Sequence, residues 1–249
     1  MYIKTNGIVL RETEYKDSDK LLTVLTRDLG KRTFRARGVK SGRSRLKSAC
    51  QLFAYSEFTV LETHERCVIT EAVTQEMFPE LRQDIELLSL ASYFVQLTDT
   101  VAQEGDEMSE LLSLLLNALY ALAKLKRPQK LVKAVFELRL MCLAGFAPQL
   151  DRCTDCGSHT PEKPRLSLYG GGVHCPGCAP GAPGKSVLLC GASLAAMRHV
   201  CSAGEKKIFS FTLDESSDER FCTACEEYTL AQLDRGFGTL DYWHSLQNR

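Results

Sequence analysis

Two cysteine pairs, Cys153-Thr154-Asp155-Cys156 and Cys175-Pro176-Gly177-Cys178, stand 18 residues apart in a chain of 249 residues, and they constrain the fold more than any other feature. A Cys-x-x-Cys turn is tight enough to aim two sulfurs at one ion. A gap of about 15–20 residues between two such turns is the spacing of a four-cysteine zinc site. Gly157 and Gly177 supply permissive backbone beside the turns. Four sulfurs fill the tetrahedral coordination of zinc and leave no open position for a water, so the expected role is one structural ion per chain rather than a catalytic one. The competing reading is two unrelated redox or buried pairs. His159 and His174 lie close by, but with four cysteines present neither is needed as a ligand.

The chain has eleven cysteines, an odd count that excludes complete internal disulfide pairing, and reduced thiols are expected. Cys222-Thr223-Ala224-Cys225 follows helical spacing with Thr229 and Leu233 and reads as small buried thiols. Cys50, Cys67, Cys142, Cys190 and Cys201 sit in apolar or helical settings and read as core residues.

The first 80 residues read as five short strands: Ile3 to Arg11, Leu21 to Thr26, Lys31 to Val39, Ser56 to Glu62 and Cys67 to Thr74. They are rich in β-branched residues and bounded by turn formers, with Asp28-Leu29-Gly30 and Thr63-His64-Glu65-Arg66 as hairpin turns. Five short antiparallel strands suggest a small closed barrel of the OB-fold type. After Phe78-Pro79 the texture changes. Leu81 to Val101, Ser109 to Leu125 and Leu131 to Phe146 carry apolar residues at three- and four-residue intervals and read as helices. Asp106 to Glu110 gives the second an acidic first turn, Pro128 suits the start of the third, and Gly145 closes it. The third is apolar on most sides and reads as a central buried helix. A further helix is expected at Ala192 to Ser202, and Trp243 reads as a packed end. The expected class is therefore α+β: an N-terminal five-stranded OB-fold barrel over residues 1–79, then a helical domain over residues 80–249 carrying a four-cysteine zinc module at about 150–182.

The formal net charge is zero, from 31 basic and 31 acidic residues, which by itself speaks against a nucleic-acid partner. The distribution reverses that inference. Between Arg27 and Lys47 there are nine basic residues and one acid, followed from Ser48 to Glu80 by six glutamates and one arginine. Strand alternation places Lys31, Thr33, Arg35 and Arg37 on one face and Phe34 and Ala36 on the other. The strand then enters a Gly/Ser-rich stretch, read as a mobile loop, that carries Lys40, Arg43, Arg45 and Lys47. Aligned cations can track a phosphate backbone and release its counterions without reading sequence; a merely solvated basic loop is the alternative. A second cluster holds Lys124, Lys126, Arg127, Lys130 and Lys133; Lys124 to Arg127 close the second helix, where cations meet the helix dipole favourably, or else the cluster offers a docking patch for an acidic partner.

Met1 to Gly7 lacks the pattern of a secretory signal. Leu111 to Leu125 is interrupted by Ser113, Asn117 and Lys124 and is too short for the roughly 20 residues that cross a bilayer. A cytoplasmic protein without a membrane partner is expected. No nucleophile elbow, metalloprotease helix, dinucleotide fingerprint or zinc-deaminase His-x-Glu order is present. Ala179 to Ser186 looks like a phosphate loop, but it lacks the first glycine, follows a metal knuckle and contains two prolines that remove donors. No catalytic residue is assigned, and the chain is read as a non-enzyme.

One combination runs through the chain in order. Thr5-Asn6-Gly7-Ile8-Val9-Leu10 opens it, followed by Gly30-Lys31-Arg32-Thr33-Phe34-Arg35-Ala36-Arg37-Gly38-Val39-Lys40 and Leu52-Phe53-Ala54-Tyr55. Leu143-Ala144-Gly145-Phe146-Ala147-Pro148 then leads to Cys153 and Cys156. Together these segments resemble the RecO family of bacterial recombination mediators in DNA repair, over nearly the whole length and more weakly after about residue 200. The resemblance implies a nucleoid-associated protein that binds single- and double-stranded DNA and anneals complementary strands. It also implies work with RecR to replace single-stranded-DNA-binding protein by RecA. DNA contact then falls to Lys31, Arg35, Arg37, Lys40, Arg43, Arg45 and Lys47, with zinc on Cys153, Cys156, Cys175 and Cys178. The acidic, hydrophobic C-terminal tail of the single-strand binder would meet Lys126, Arg127, Lys130 and Lys133. A zinc-containing transcription or RNA-binding factor is the alternative, and it would need a reading helix or aromatic base platforms beyond Phe34, Tyr55 and Phe58. A zinc hydrolase would need an open metal site.

Overall fold

The structure, a computed structural model, describes residues 1–63, 66–105, 107–159, 161–181 and 184–247. The expected turn at His64-Glu65, the acidic Asp106 and the Ala182-Pro183 part of the phosphate-loop lookalike lie outside the described residues. The chain divides into two compact units, residues 1–124 with 242–249 and residues 125–241.

In the first unit, strands β1 (Tyr2–Tyr15), β2 (Asp19–Thr26), β3 (Lys31–Ala36), β4 (Tyr55–Thr63) and β5 (Arg66–Glu76) close into a barrel in the order β1-β2-β3-β5-β4. All ladders are antiparallel except the closing β3–β5 pair, where Arg35 faces Val68. This is the five-stranded OB-type barrel that the sequence pattern predicts. Gly30 takes the left-handed turn position between β2 and β3 at φ 66°, which a residue without Cβ adopts at little cost. Alternation along β3 turns Phe34 and Ala36 inward to meet Val9, Leu22, Val24, Phe58, Val60 and Ile69, and the Phe34 and Phe58 rings lie 6.1 Å apart.

Residues 37–54 are less irregular than their glycines and serines suggest. Backbone bonds from Ser41 to Gly38, Ser44 to Ser41, Lys47 to Ser44 and Cys50 to Leu46 wind the segment into successive turns. Val39, Ala49, Cys50 and Phe53 bury their side chains beneath it. The expected mobile loop is thus a folded connection, pinned by apolar residues spaced among the cations.

Helix α1 (Ile85–Val101) begins four residues later than the Leu81 start predicted from periodicity. Pro79–Arg82 forms a short 3-10 turn first, and Asp84 caps α1 by accepting from the N–H groups of Glu86 and Leu87 at 2.8 and 3.2 Å. Helix α2 (Ser109–Ala123) follows, and Lys124 at its end donates to Glu80 at 2.7 Å.

The second unit is built around α3 (Gln129–Leu143), where Val132, Val135, Phe136, Leu138, Leu140 and Met141 are all buried, as expected of a central helix. Strands β6 (Gln149–Cys153), β7 (Arg165–Ser167), β8 (Gly172–His174) and β9 (Ser186–Leu188) form a small sheet in the order β6-β8-β7-β9, which the sequence reading lacks because each strand is too short to show a period. Helices α4 (Gly191–Ser202) and α5 (Glu215–Leu233) complete the unit, and α6 (Gly238–Gln247) ends the described chain with Trp243 buried. Among the described residues, no helix is long and apolar enough to cross a membrane.

Lys133 is the main correction to the second cationic cluster. Its ammonium is buried and lies 3.0 and 2.9 Å from the Glu137 carboxylate oxygens and 2.7 Å from Glu226. Burial lowers its pKa, but the two carboxylates outweigh this and raise it. A side chain so enclosed is no part of a docking surface. Removing it takes the Lys133 ammonium away from the fully buried Glu137 carboxylate. Lys133→Met is expected to cost about 3 kcal/mol in chemical denaturation, and Lys133→Met with Glu137→Leu to recover most of that. A single variant as stable as the parent would refute the ion cluster.

Candidate metal centre and nucleic-acid interface

Cys153 ends β6, and the chain turns at once through Thr154 to Gly157. Gly157, at φ 75°, returns its N–H to the Cys153 carbonyl at 2.9 Å, and the Cys153 N–H reaches Ser158. Strand β8 delivers the second pair. After His174 the chain folds over so that the N–H groups of Cys178 and Ala179 both bond the Cys175 carbonyl. Because β6 and β8 are neighbours in the sheet, the two turns meet, and the four sulfurs lie within 4.8 Å of one another. The Cys156–Cys175 and Cys175–Cys178 sulfur separations are 3.8 and 3.3 Å. Zn–S bonds of about 2.3 Å in a tetrahedron place sulfurs about 3.8 Å apart, so this arrangement fits one divalent ion.

The backbone around Cys153 suits anionic sulfur. Burial pushes the Cys153 thiol up, but N–H groups of Cys156, Cys175 and Asp155 together bring it down to about 6, and the Cys175 N–H lies 3.3 Å from the Cys153 sulfur. Cys175 is lowered by its hydrogen bond with Cys178, whose own thiol is pushed up to about 12 by the same contact. His174 is buried beside the site with Nδ1 2.7 Å from Asp155, and that triad with Cys153 forms a second grouping of possible ligand atoms. His159 is exposed, and its carbonyl accepts from Arg198.

On the barrel, Lys31, Arg35 and Arg37 project from the outer side of β3 and its end. Lys31 is tied to α1, donating to the Asp99 carbonyl at 2.6 Å and lying 3.3 Å from its carboxylate. Arg35 is anchored more firmly: Nε and Nη2 reach one Asp19 oxygen at 2.8 and 2.5 Å, and the guanidinium lies over the Tyr15 ring at 5.1 Å. Lys40 pairs with Glu14. Arg37, Arg43, Arg45 and Lys47 are exposed and have no carboxylate within ion-pair distance among the described residues. Two clefts border this face, one of about 500 Å³ lined by Tyr15, Thr33, Arg35 and Arg66 among others, and one of about 700 Å³ lined by Arg37, Arg66, Val68 and Ile69. Arg66 escapes sequence reasoning because it is isolated among glutamates in the chain; barrel closure between β3 and β5 brings it to the cationic face. Tyr15, at the end of β1, gives no signal until Arg35 is seen above it.

Asp19 orients the start of the basic segment. Its carboxylate accepts the Gly38 N–H at 2.8 Å, and this bond and Arg35 hold it well below the usual range, at about 2. A carboxylate depressed in the folded state stabilises fully above its ordinary value near 3.8, and that contribution is lost as pH falls toward about 2. The thermal midpoint of the parent is therefore expected to fall between pH 4 and 2 more steeply than that of Asp19→Asn, which should already be lower at pH 7. Parallel curves would exclude the anchor.

In the second cluster, Lys126, Arg127 and Lys130 are exposed, unlike Lys133. Lys124 is engaged with Glu80 at 2.7 Å and is no free docking cation.

Comparison with known proteins agrees with these features. Residues 1–78 match the family described as recombination protein O, N terminal, and residues 82–241 match recombination protein O, C terminal. A DNA repair protein RecO from Desulforudis audaxviator is 36% identical over 190 residues, covering 75% of this chain and 76% of the relative. One from Acetivibrio thermocellus is 29% identical over 245 residues, covering 98% and 97%, and one from Moorella thermoacetica is 34% identical over 188 residues, covering 75% and 69%. With an OB-type barrel bearing a basic face, a four-cysteine cluster that follows the central helix in sequence, and both family halves matched in order, the chain belongs to the RecO family of DNA repair and recombination proteins.

Proposed function

We propose that this chain is a non-enzymatic recombination mediator that binds single- and double-stranded DNA, anneals complementary strands and, with RecR, helps load RecA onto DNA covered by single-stranded-DNA-binding protein. The observation that carries the reading is the set of exposed cations at Arg37, Arg43, Arg45 and Lys47, free of carboxylate partners among the described residues and following Lys31 and Arg35 along the chain. Annealing requires no active site. Cations that neutralise the phosphates of two strands lower their repulsion, and base pairing supplies the specificity.

Zinc is the ion proposed for Cys153, Cys156, Cys175 and Cys178, since an all-thiolate tetrahedral set suits it and leaves no site for substrate. When bound, it ties β6 to β8; the chain's own residues do the rest by aiming N–H groups at the sulfurs. The acidic tail of the single-strand binder is assigned to Lys126, Arg127 and Lys130, whose exposure suits a charged peptide.

The test is an annealing assay with complementary oligonucleotides, bare and coated with single-stranded-DNA-binding protein. Faster duplex formation on both substrates is expected; no acceleration on either would overturn the proposal.

A further inference from the structure

Cys142 lies in the last turn of α3 and Cys201 in the last turn of α4. Their sulfurs are 3.5 Å apart, in hydrogen-bond contact across 59 positions of sequence. Both residues are half-buried, and neither belongs to the metal cluster. Arg139, one turn before Cys142, donates from Nη1 to the carbonyls of Cys201 at 2.7 Å and Val200 at 3.3 Å. The last carbonyls of a helix have no partner within it, so this guanidinium both satisfies them and holds the two helix ends together at the level of the thiols. A disulfide brings its sulfurs to about 2.05 Å, so the pair must close by about 1.5 Å.

We propose that Cys142 and Cys201 are a redox modification site, converted by a low-molecular-weight disulfide into an intramolecular disulfide that joins α3 to α4. The Cys142 thiolate attacks one sulfur of the small disulfide, whose S–S bond breaks. The departing thiolate takes up the proton that Cys142 lost. Cys201, deprotonated in turn, attacks the Cys142 sulfur of the mixed disulfide and expels the second small thiolate, which is protonated likewise. Two protein thiols are oxidised by two electrons and one small disulfide is reduced to two thiols.

The surroundings assign the order of attack. The hydrogen bond with Cys201 and the nearby Arg139 charge hold the Cys142 thiol below its ordinary value against the opposing effect of burial, while the same contact and burial push Cys201 up. The thiolate is the attacking form, so Cys142 reacts first. The closed loop runs from 142 to 201 and contains β6 to β9 with all four cluster cysteines, so the cross-link would staple the base of the metal module. Disulfides in reducing compartments are mostly transient and redox-sensing, in keeping with a bond made only under oxidation.

The test uses the full-length, metal-loaded protein treated with excess oxidised glutathione, then alkylated and mapped by mass spectrometry. A peptide pair linking Cys142 to Cys201 is expected, lost on reduction, with a rise of about 10 °C in the unfolding midpoint for a loop of this size. Cys201→Ser should instead accumulate a glutathione adduct on Cys142, and Cys142→Ser should give no cross-link. A stable adduct on Cys142 in the parent, two unmodified thiols, or a link from either residue to the fully buried Cys225 would each overturn the proposal.

Discussion

Cys153→Ser with Cys156→Ser is expected to abolish metal content and lower the stability of the second unit by on the order of 5 kcal/mol. Structural zinc supplies roughly 10–16 kcal/mol of apparent binding free energy in isolated finger peptides. Here only part of that is at stake, because the strands have other support. Leu150, Leu166 and Val173 are buried, and Arg198 of α4 holds the β6 carbonyls of Leu150 and Asp151 at 2.7 and 2.9 Å. Loss should therefore be graded, with residues 149–190 losing amide-exchange protection first and the midpoint falling by some 15–25 °C. Removal of metal by a strong chelator should reproduce the pattern, and elemental analysis of the parent should give about one zinc per chain. A metal-free parent as stable as the loaded one would remove the structural role.

The other large effect is on DNA. Replacing Arg37, Arg43 and Arg45 together with glutamate is expected to weaken binding to a single-stranded oligonucleotide by about 10²–10³-fold at moderate salt, about 3–4 kcal/mol, whatever the sequence of the oligonucleotide. These three are chosen because they are exposed and make no ion pair among the described residues, so the fold does not depend on their charge. Arg35 is unsuitable. A glutamate there would face Asp19, and the loss of the carboxylate's partner would disturb the Gly38 turn as well as any phosphate contact. Unchanged affinity in the triple variant, with its thermal midpoint intact, would move the interface elsewhere.

Much of this was legible in the chain because it is local. The barrel strands carry their own alternation, and the spacing of the two cysteine pairs announces the four-sulfur cluster. Phe34 and Ala36 point inward and Thr33 and Arg37 outward for the same reason. What sequence could not convey are contacts made across distance. Lys133 looked like one more surface cation, yet Glu226, on α5, shares its burial with Glu137. Arg66 joined the cationic face only through the β3–β5 closure, and Cys142 met Cys201 only through the packing of α3 with α4. Leu81 keeps the apolar rhythm inside a 3-10 turn, so periodicity alone extends α1 too early, whereas the cap at Asp84 sets the boundary. In the segment after β3, glycine and serine suggested looseness, while Val39, Cys50 and Phe53 fastened it.

The central claim is that DNA is held electrostatically by the basic face of the barrel. It is tested most directly by the salt dependence of single-strand binding in the full-length protein. Each neutralised phosphate contributes about −0.7 to the slope of log K against log salt on single strands, so four or five contacts predict a slope near −3. The triple glutamate variant should flatten it by about 2. A slope near zero in the parent, or the same slope in both proteins, would contradict the account.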